Sequence, residues 1–359
     1  MNIKNISIIG LGLIGGSIAK ALQKSKYDFT ISAFDKPEIL SAAVNEKIIN
    51  TKLNSYEESL NSDLIFICLP VSKSIEIFET LAPKLNMNSI LTDVCSVKNV
   101  FKEKWDKIES KGIYFGGHPM TGKEKGGYEN SDSLLFENSV YILTEKLNDD
   151  FYFNEFSKII SSLGSNILHI PAKQHDVIAA SVSHLPQLVS VALVNAASLK
   201  TDNYNFLDLA AGGFRDMTRI ASSDFEIWES IIANNRNQIL TAIDKFSYDL
   251  SVLTKWISED DYDAVHSYFE SARVCRDEVP KNSKGFLHPL FDLFVFVTDE
   301  PGAISKISTA LFEVGINIKD MELLKIREGS GGTFRLSFES SEEVEKASEI
   351  LKEIGFETA

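Results

Sequence analysis

His118, set in the run Gly116-Gly117-His118-Pro119, is the strongest candidate base in the chain. An unperturbed imidazole titrates near ~6.5, so at physiological pH it is largely neutral and able to accept a proton. Oxidising a carbinol to a carbonyl removes a hydride from carbon and a proton from oxygen, and a positioned base accelerates such a step by roughly 10²- to 10⁴-fold. Ser96 offers a hydroxyl that could hold either the base or the substrate oxygen, and equally could cap a helix beginning near Val97. In Ser183-His184-Leu185-Pro186-Gln187 the proline removes a backbone donor within a helical stretch, bending the chain beside His184 and shaping a cavity. The run Gly212-Gly213-Phe214-Arg215-Asp216-Met217-Thr218-Arg219 places two arginines four apart, on one face if helical, with Trp228 nine positions further on. A planar guanidinium bonds both oxygens of a carboxylate. Arg215 has Asp216 and Asp224 nearby for a surface ion pair, which leaves Arg219 as the better candidate for an anionic substrate.

A base of this kind needs a hydride acceptor. The apolar run Ile6 to Ile9 leads into Gly10-Leu11-Gly12-Leu13-Ile14-Gly15-Gly16-Ser17, the strand-to-helix turn of a dinucleotide-binding fold. Gly10 permits the tight turn, Gly12 lets the backbone approach a pyrophosphate, and Gly15 lets helix and strand pack closely. Asp35 ends the second apolar run, twenty positions after Gly15, where its carboxylate would bind ribose hydroxyls. Lys20 and Lys24 recur at helical spacing where a cleaved leader would be small and neutral. In an open α/β sheet ligands collect outside the carboxyl ends of the strands. That edge gathers Gly10 to Gly16, Asp35, Pro70, Asp93 to Ser96, and the Gly116-Gly117-His118-Pro119 run on a loop.

Three segments are expected to position these groups. Residues 1–171 alternate short β-rich runs with helical patterns, the sign of a parallel sheet with helices on both faces. Residues 172–280 are helical, and Phe225, Trp228, Ile232, Ile239, Ile243, Phe246, Leu250, Leu253 and Ile257 predict one long amphipathic helix. A stripe of that length calls for a long partner, so packing against a second subunit is expected beside packing within the chain. Residues 275–289 lack periodicity and read as a linker, with 281–289 as its centre. Residues 290–359 give a strand, a helix, two strands around a glycine turn at Gly329 to Gly332, a helix, and a short last strand at Ile354 to Thr358.

The composition, 44% hydrophobic and 24% charged over 359 residues, is that of a globular protein of two or three domains. A net charge of −15 repels nucleic acid and anionic lipid. Cys68, Cys95 and Cys275 are scattered, without metal-ligand spacing, which fits a reducing compartment and no metal. No apolar span reads as long enough to cross a membrane, and a cytoplasmic protein without membrane or nucleic-acid partners is expected.

Taken together, Gly10 to Ser17, Asp35, Asp93-Val94-Cys95-Ser96-Val97-Lys98, Gly117-His118-Pro119-Met120-Thr121-Gly122-Lys123-Glu124, Ser183 to Pro186 and Gly213 to Arg219 resemble prephenate dehydrogenase, over residues 1 to about 280. Asp299 to Ile304 and Gly315 to Ile318 resemble an ACT domain, an amino-acid-sensing module. The resemblance implies a Rossmann-type α/β domain, an all-α dimerisation domain and a C-terminal α+β ACT domain. It also implies NAD-dependent oxidative decarboxylation of prephenate to 4-hydroxyphenylpyruvate, in tyrosine biosynthesis, by a cytoplasmic homodimer under feedback from L-tyrosine. On that reading His118 and Ser96 are catalytic, while Arg219, His184, Glu124, Gly213 and Trp228 bind substrate. Gly10, Gly12, Leu13, Ile14, Gly15, Asp35, Pro70 and Ser96 hold NAD; Lys36, directly after Asp35, leaves some tolerance for NADP. Asp299, Gly302 and Asn317 would bind the effector. Arogenate dehydrogenase, whose substrate carries an amine in place of the keto group, fits the same motifs. A non-catalytic nicotinamide- and amino-acid-responsive regulator is the rival from another class, and the retained base and arginine argue against it.

Overall fold

The computed structural model describes residues 3–123, 125–144, 150–200, 205–278, 290–298, 300–327 and 331–359. These fall into two compact units, Met1–Val265 and His266–Ala359.

The first unit opens with β1 (Asn5–Ile9), α1 (Leu13–Lys24), β2 (Thr30–Phe34), α2 (Pro37–Asn45), β3 (Thr51–Lys52), β4 (Leu64–Ile67), α3 (Val71–Leu81), β5 (Ile90–Asp93), α4 (Asn99–Trp105), β6 (Ile113–Pro119), β7 (Val140–Leu143), α5 (Phe151–Ser162) and β8 (Asn166–His169). They form one sheet in the order β3-β2-β1-β4-β5-β6-β7-β8. Strand β4, Leu64-Ile65-Phe66-Ile67, is buried throughout because both faces are covered. Successive side chains serve opposite cores: Leu64 and Phe66 join Ile6, Ile8 and Phe156 on one face, and Ile65 and Ile67 join Ile9, Phe78 and Phe101 on the other.

The sheet departs from the all-parallel expectation at one place. Strand β7 runs antiparallel to β6, pairing Gly117 with Leu143, His118 with Ile142 and Pro119 with Tyr141. Among the described residues the connection holds one 3₁₀ turn, Tyr128–Asn130, and no α-helix, and an antiparallel neighbour needs no helical crossover. Gly116, Gly117, His118 and Pro119 therefore lie within a hydrogen-bonded strand rather than on a loop. The glycines are there because the strand is crowded: a Cβ on Gly117 would sit 2.8 Å from the Asp93 carbonyl oxygen and 2.9 Å from the Tyr141 ring.

The helical part of this unit comprises α6 (Ala172–Ala179), a π-helical turn (Ala180–His184), α7 (Leu185–Ala197), α8 (Gly212–Thr218), a 3₁₀ turn (Arg219–Ser222), α9 (Phe225–Asn234) and α10 (Arg236–Ser258), and α11 (Tyr262–Glu278) follows. The single amphipathic helix expected after Phe225 is two helices. Asn235 breaks it with φ −123° and ψ 24°, its side chain donating to the Asp176 carbonyl oxygen at 2.8 Å. Cys275 to Glu278, read as linker from sequence, are still helical; 281–289 lie outside the described residues. The composite helix Ala172–Ala197 is, by length and composition alone, long and apolar enough to cross a membrane, contrary to the sequence expectation. His175, Asp176, His184, Gln187 and Ser190 of this helix are buried inside the fold.

In the second unit β9 (Phe291–Val297), α12 (Ala303–Glu313), β10 (Asp320–Arg327), β11 (Gly331–Phe338), α13 (Ser341–Glu353) and β12 (Glu357–Thr358) build an antiparallel sheet in the order β10-β11-β9-β12. Leu293, Val295, Ile307, Leu311, Leu336, Phe338 and Leu351 form its core. The short last strand is made, pairing Glu357 with Phe296.

The glycine loop yields a prediction that needs no ligand. A Cβ on Gly15 would lie 1.9 Å from the Gly10 carbonyl oxygen, whereas one on Gly12 meets nothing within 4 Å. Gly15→Ala should cost ~1–3 kcal/mol through overpacking, seen as a melting temperature several degrees lower, while Gly12→Ala melts with the parent chain. Equal melting of both variants would show that α1 can retreat freely from β1.

Candidate active site

The carboxyl edge of the sheet brings five strand ends together. After β1, Gly10 turns with φ +94°, a conformation that favours glycine, and its N–H donates to the Phe34 carbonyl oxygen at 2.9 Å. Asp35, just past β2, accepts the Leu11 N–H at 2.5 Å and the Lys36 N–H at 2.6 Å, so its carboxylate is fixed against the glycine loop. Among the described residues no side chain caps the start of α1, and a Cβ on Gly12, at the cap, would meet nothing within 4 Å. An open cradle, unpaired helix-terminal donors and a fixed carboxylate together fit a dinucleotide.

Beside this loop lies a cavity of about 300 Å³ whose lining includes Ile14, Pro70, Ser96, His118, Thr121 and Ile231. It joins the glycine-loop helix, the ends of β4, β5 and β6, and α9 around one imidazole. His118 Nδ1 is 2.8 Å from His175 Nε2, and His175 Nδ1 is 2.8 Å from Asp176 Oδ1. A carboxylate only accepts hydrogen bonds, so His175 donates from Nδ1 and presents a lone pair at Nε2. His118 then donates from Nδ1, leaving its own Nε2 as the free acceptor. The line of three residues thus selects the tautomer that a general base requires.

Asp176 is held as firmly as it holds. Its Oδ1 also accepts the Lys98 N–H at 2.8 Å and its Oδ2 the Asn99 N–H at 2.9 Å, so it closes the start of α4. Ser96 does not cap that helix, contrary to the alternative raised from sequence; it lines the cavity instead. Neither His175 nor Asp176 was singled out in the sequence, where they appear only as an adjacent pair four residues after Pro171.

His184, in the π turn, is buried, with Asn235 Nδ2 3.3 Å from its Nδ1 and Trp228 edge-on at 5.9 Å between ring centroids. No hydrogen-bond partner reaches its Nε2 among the described residues. A π turn of this kind is frequent at functional sites. His184 and Trp228, both read from sequence as pocket residues, thus lie against each other. Arg219 opens the 3₁₀ turn after α8 and is exposed, so the four-residue helical spacing from Arg215 is broken. Gln187, buried on α7, donates to the Ile220 carbonyl oxygen at 2.8 Å and so fixes that turn. Gly213 lies exposed in α8; neither it nor Arg219 lines the His118 cavity. Glu124 and Asp299 lie outside the described residues. In the second unit, a cavity of about 600 Å³ is lined by Gly302 with Thr298, Glu300, Ile304, Ser305 and Phe334, while Asn317 is exposed and does not line it. Among the described residues no cluster of metal-ligating side chains is found.

Comparison with known proteins agrees with this geometry. The family described as prephenate dehydrogenase, nucleotide-binding domain, matches residues 18–169, and its dimerization domain matches 171–271; an ACT domain matches 291–356. Prephenate dehydrogenase of Lactococcus lactis subsp. cremoris is 33% identical over 97% of this chain and 98% of its own length. The chain belongs to the prephenate dehydrogenase family. The Bacillus subtilis prephenate dehydrogenase is 31% identical over 97% of this chain and 95% of its own. A crystal structure of prephenate dehydrogenase from A. aeolicus, in complex with hydroxyphenyl propionate and NAD+, superimposes with a TM-score of 0.70 at 30% identity, covering 78% of this chain and 99% of that one. This family member is thus an oxidoreductase with a Rossmann-like domain, a helical domain and an ACT domain.

Both histidines nearest the line are kept neutral. Burial, then the charges of His175, Lys98 and His184, push His118 well below the usual imidazole range. Burial pushes His184 down to about 4, against the opposing pull of Asp176. In the unfolded chain each binds a proton below ~6.5, so between there and about 4 the unfolded state binds more protons and stability falls as pH falls. Melting temperature should decline through that window, and less steeply in His184→Gln, which removes one of the two groups; identical slopes would show that His184 titrates normally in the folded chain.

Proposed function

We propose that this dehydrogenase oxidises prephenate with NAD, yielding 4-hydroxyphenylpyruvate, carbon dioxide and NADH, with His118 as general base. The observation that carries the reading is the Asp176–His175–His118 line ending in a cavity beside the glycine loop. Gly10, Gly12 and Gly15, the amides of Leu13 and Ile14, and Asp35 are the groups that would hold NAD, with Pro70 and Ser96 beside them. When bound, NAD supplies the hydride acceptor. His118 Nε2 takes the ring-hydroxyl proton as the carbinol carbon is oxidised, and Ser96 hydrogen-bonds that oxygen. As the ring carboxylate leaves as carbon dioxide, its bonding pair makes the ring aromatic and the ring oxygen takes back the proton from His118, so the driving force lies in the substrate and the protein supplies position and a base. Arg219 pairs with a substrate carboxylate, held by the turn that Gln187 fixes. His184, Trp228, Gly213 and Glu124 shape the remainder of the pocket.

The functional division follows residues 1–171, 172–280, 281–289 and 290–359. The composite helix carries exposed Val177, Ile178, Val182 and Val191, a face suited to a second copy, and we assign the molecule as a homodimer. Three free cysteines, Cys275 exposed among them, fit the reducing cytoplasm. The cavity beside Gly302 combines apolar walls with hydroxyls, which suits the ring and polar ends of L-tyrosine as feedback effector.

Two experiments test this reading. His118→Asn should lower kcat by ~100-fold or more, and His175→Phe should lower it in the same direction, while the KM for NAD is unchanged; NADH absorbance with prephenate and with arogenate measures both effects and substrate preference, and full turnover in His118→Asn would remove the base assignment. Ser305→Trp, which fills the second-unit cavity, should abolish inhibition by tyrosine at unchanged kcat. Inhibition that persists would locate tyrosine in the active site.

A further inference from the structure

We propose that Lys98 is a positioning residue for His118, acting on the imidazole through the peptide that precedes it and through the acid that steers its partner. The inference rests on His118 being the base. Lys98 is 1% exposed, among the largest fully buried side chains of the protein. Its ammonium donates to the Gly117 carbonyl oxygen at 2.6 Å, pairs with Asp93 Oδ1, and lies 5.2 Å from the centre of the Phe101 ring. Asp93 is itself fixed, accepting the Tyr114 hydroxyl at 2.6 Å and the Cys95 N–H at 2.9 Å. The backbone N–H of the same lysine donates to Asp176 Oδ1, the oxygen that His175 also uses. One residue therefore grips both supports of His118: the Gly117 peptide by its side chain and Asp176 by its main chain.

Packing alone does not explain a lysine here. Taking an ammonium and a carboxylate out of water is costly, and well-packed apolar side chains of similar volume commonly serve stability as well or better. What a cation adds is direction, because it draws a carbonyl and a carboxylate to one point, and a positive potential at the strand end. The charged and titratable groups facing His118 come from three directions: His175 and Asp176 on α6, His184 in the π turn, and Asp93, Cys95 and Lys98 at the end of β5 and the start of α4. Of these, the Lys98 ammonium opposes a proton on His118.

Full-length Asp93→Asn/Lys98→Met, which removes both buried charges together, and Lys98→Arg, which keeps the charge in a wider head group, separate the two actions. In the double variant kcat with prephenate should fall ~10- to 100-fold from misplacement of the base, the KM for NAD should hold, and the acid limb of the kcat–pH profile should move up. In Lys98→Arg kcat should fall with the acid limb in place. A double variant with parental kcat overturns the proposal, and so does one whose kcat falls with an unmoved acid limb, the signature of general structural loss. Should circular dichroism show the double variant unfolded, Lys98→Arg decides alone, and parental kcat in it overturns the proposal. His118→Asn run alongside distinguishes the failures: full turnover there removes the base and this inference together, whereas an impaired His118→Asn beside unaffected Lys98 variants removes only the role of Lys98.

Discussion

The structure turns on the carboxylate of Asp176. Buried and acceptor-only, it takes two backbone donors at the start of α4 and one imidazole N–H on α6. An anion at that depth is tolerable because every bond it makes is to a donor aimed at it, and two of those donors belong to a helix terminus. The same bonds dictate the direction of the hydrogen bonds through His175 to His118. Orientation of His118, the base in the proposed function, is thus a consequence of how α6 docks onto the sheet domain, and in that reading catalysis and domain packing share a set of atoms.

The antiparallel strand β7 has a second consequence for the base. Were Gly116 to Pro119 a free loop, His118 would need to be ordered on substrate binding, and ordering a residue costs ~1–2 kcal/mol for the backbone alone. Pairing with β7 meets that cost during folding. The crowding at Gly117, against Asp93 and Tyr141, follows from packing a strand this tightly beside two neighbours. Rigidity at the base contrasts with Gly12, where a Cβ would meet nothing and the space belongs to a ligand.

Much of this is legible in the sequence, and the boundary is physical. The glycine loop and Asp35 could be read because their chemistry is local, a turn, a helix start and a strand end within thirty-five residues. His118 could be read because its glycine and proline neighbours are unusual. His175 and Asp176 could not, since their roles come from contacts 57 and 78 positions away along the chain. The break at Asn235 was hidden for a related reason: the apolar stripe runs on past it, and only a tertiary bond to the Asp176 carbonyl oxygen makes leaving the helix worthwhile there. Strand Ile113–Pro119 was read short because glycine and proline argue against strand locally, and close packing against neighbours outweighs that preference.

The composite helix Ala172–Ala197 shows why composition alone misleads about its surroundings. Its inward face carries His175, Asp176, His184, Gln187 and Ser190, all buried, while Val177, Ile178, Val182 and Val191 look outward. A membrane-spanning helix would be expected to expose its apolar face to lipid and keep its ionisable groups toward protein, and this helix satisfies that description by sequence. What differs is the service those groups perform: His175 and Asp176 are tied to the sheet domain, His184 to Asn235, and Gln187 to the turn of Arg219. That outward apolar face lies in the segment that matches the dimerization domain, residues 171–271, and a second copy laid on it would press on the element that orients His118. Assembly and proton transfer would then be linked through one rigid helix, with the π turn at its middle setting where His184 falls relative to Asp176.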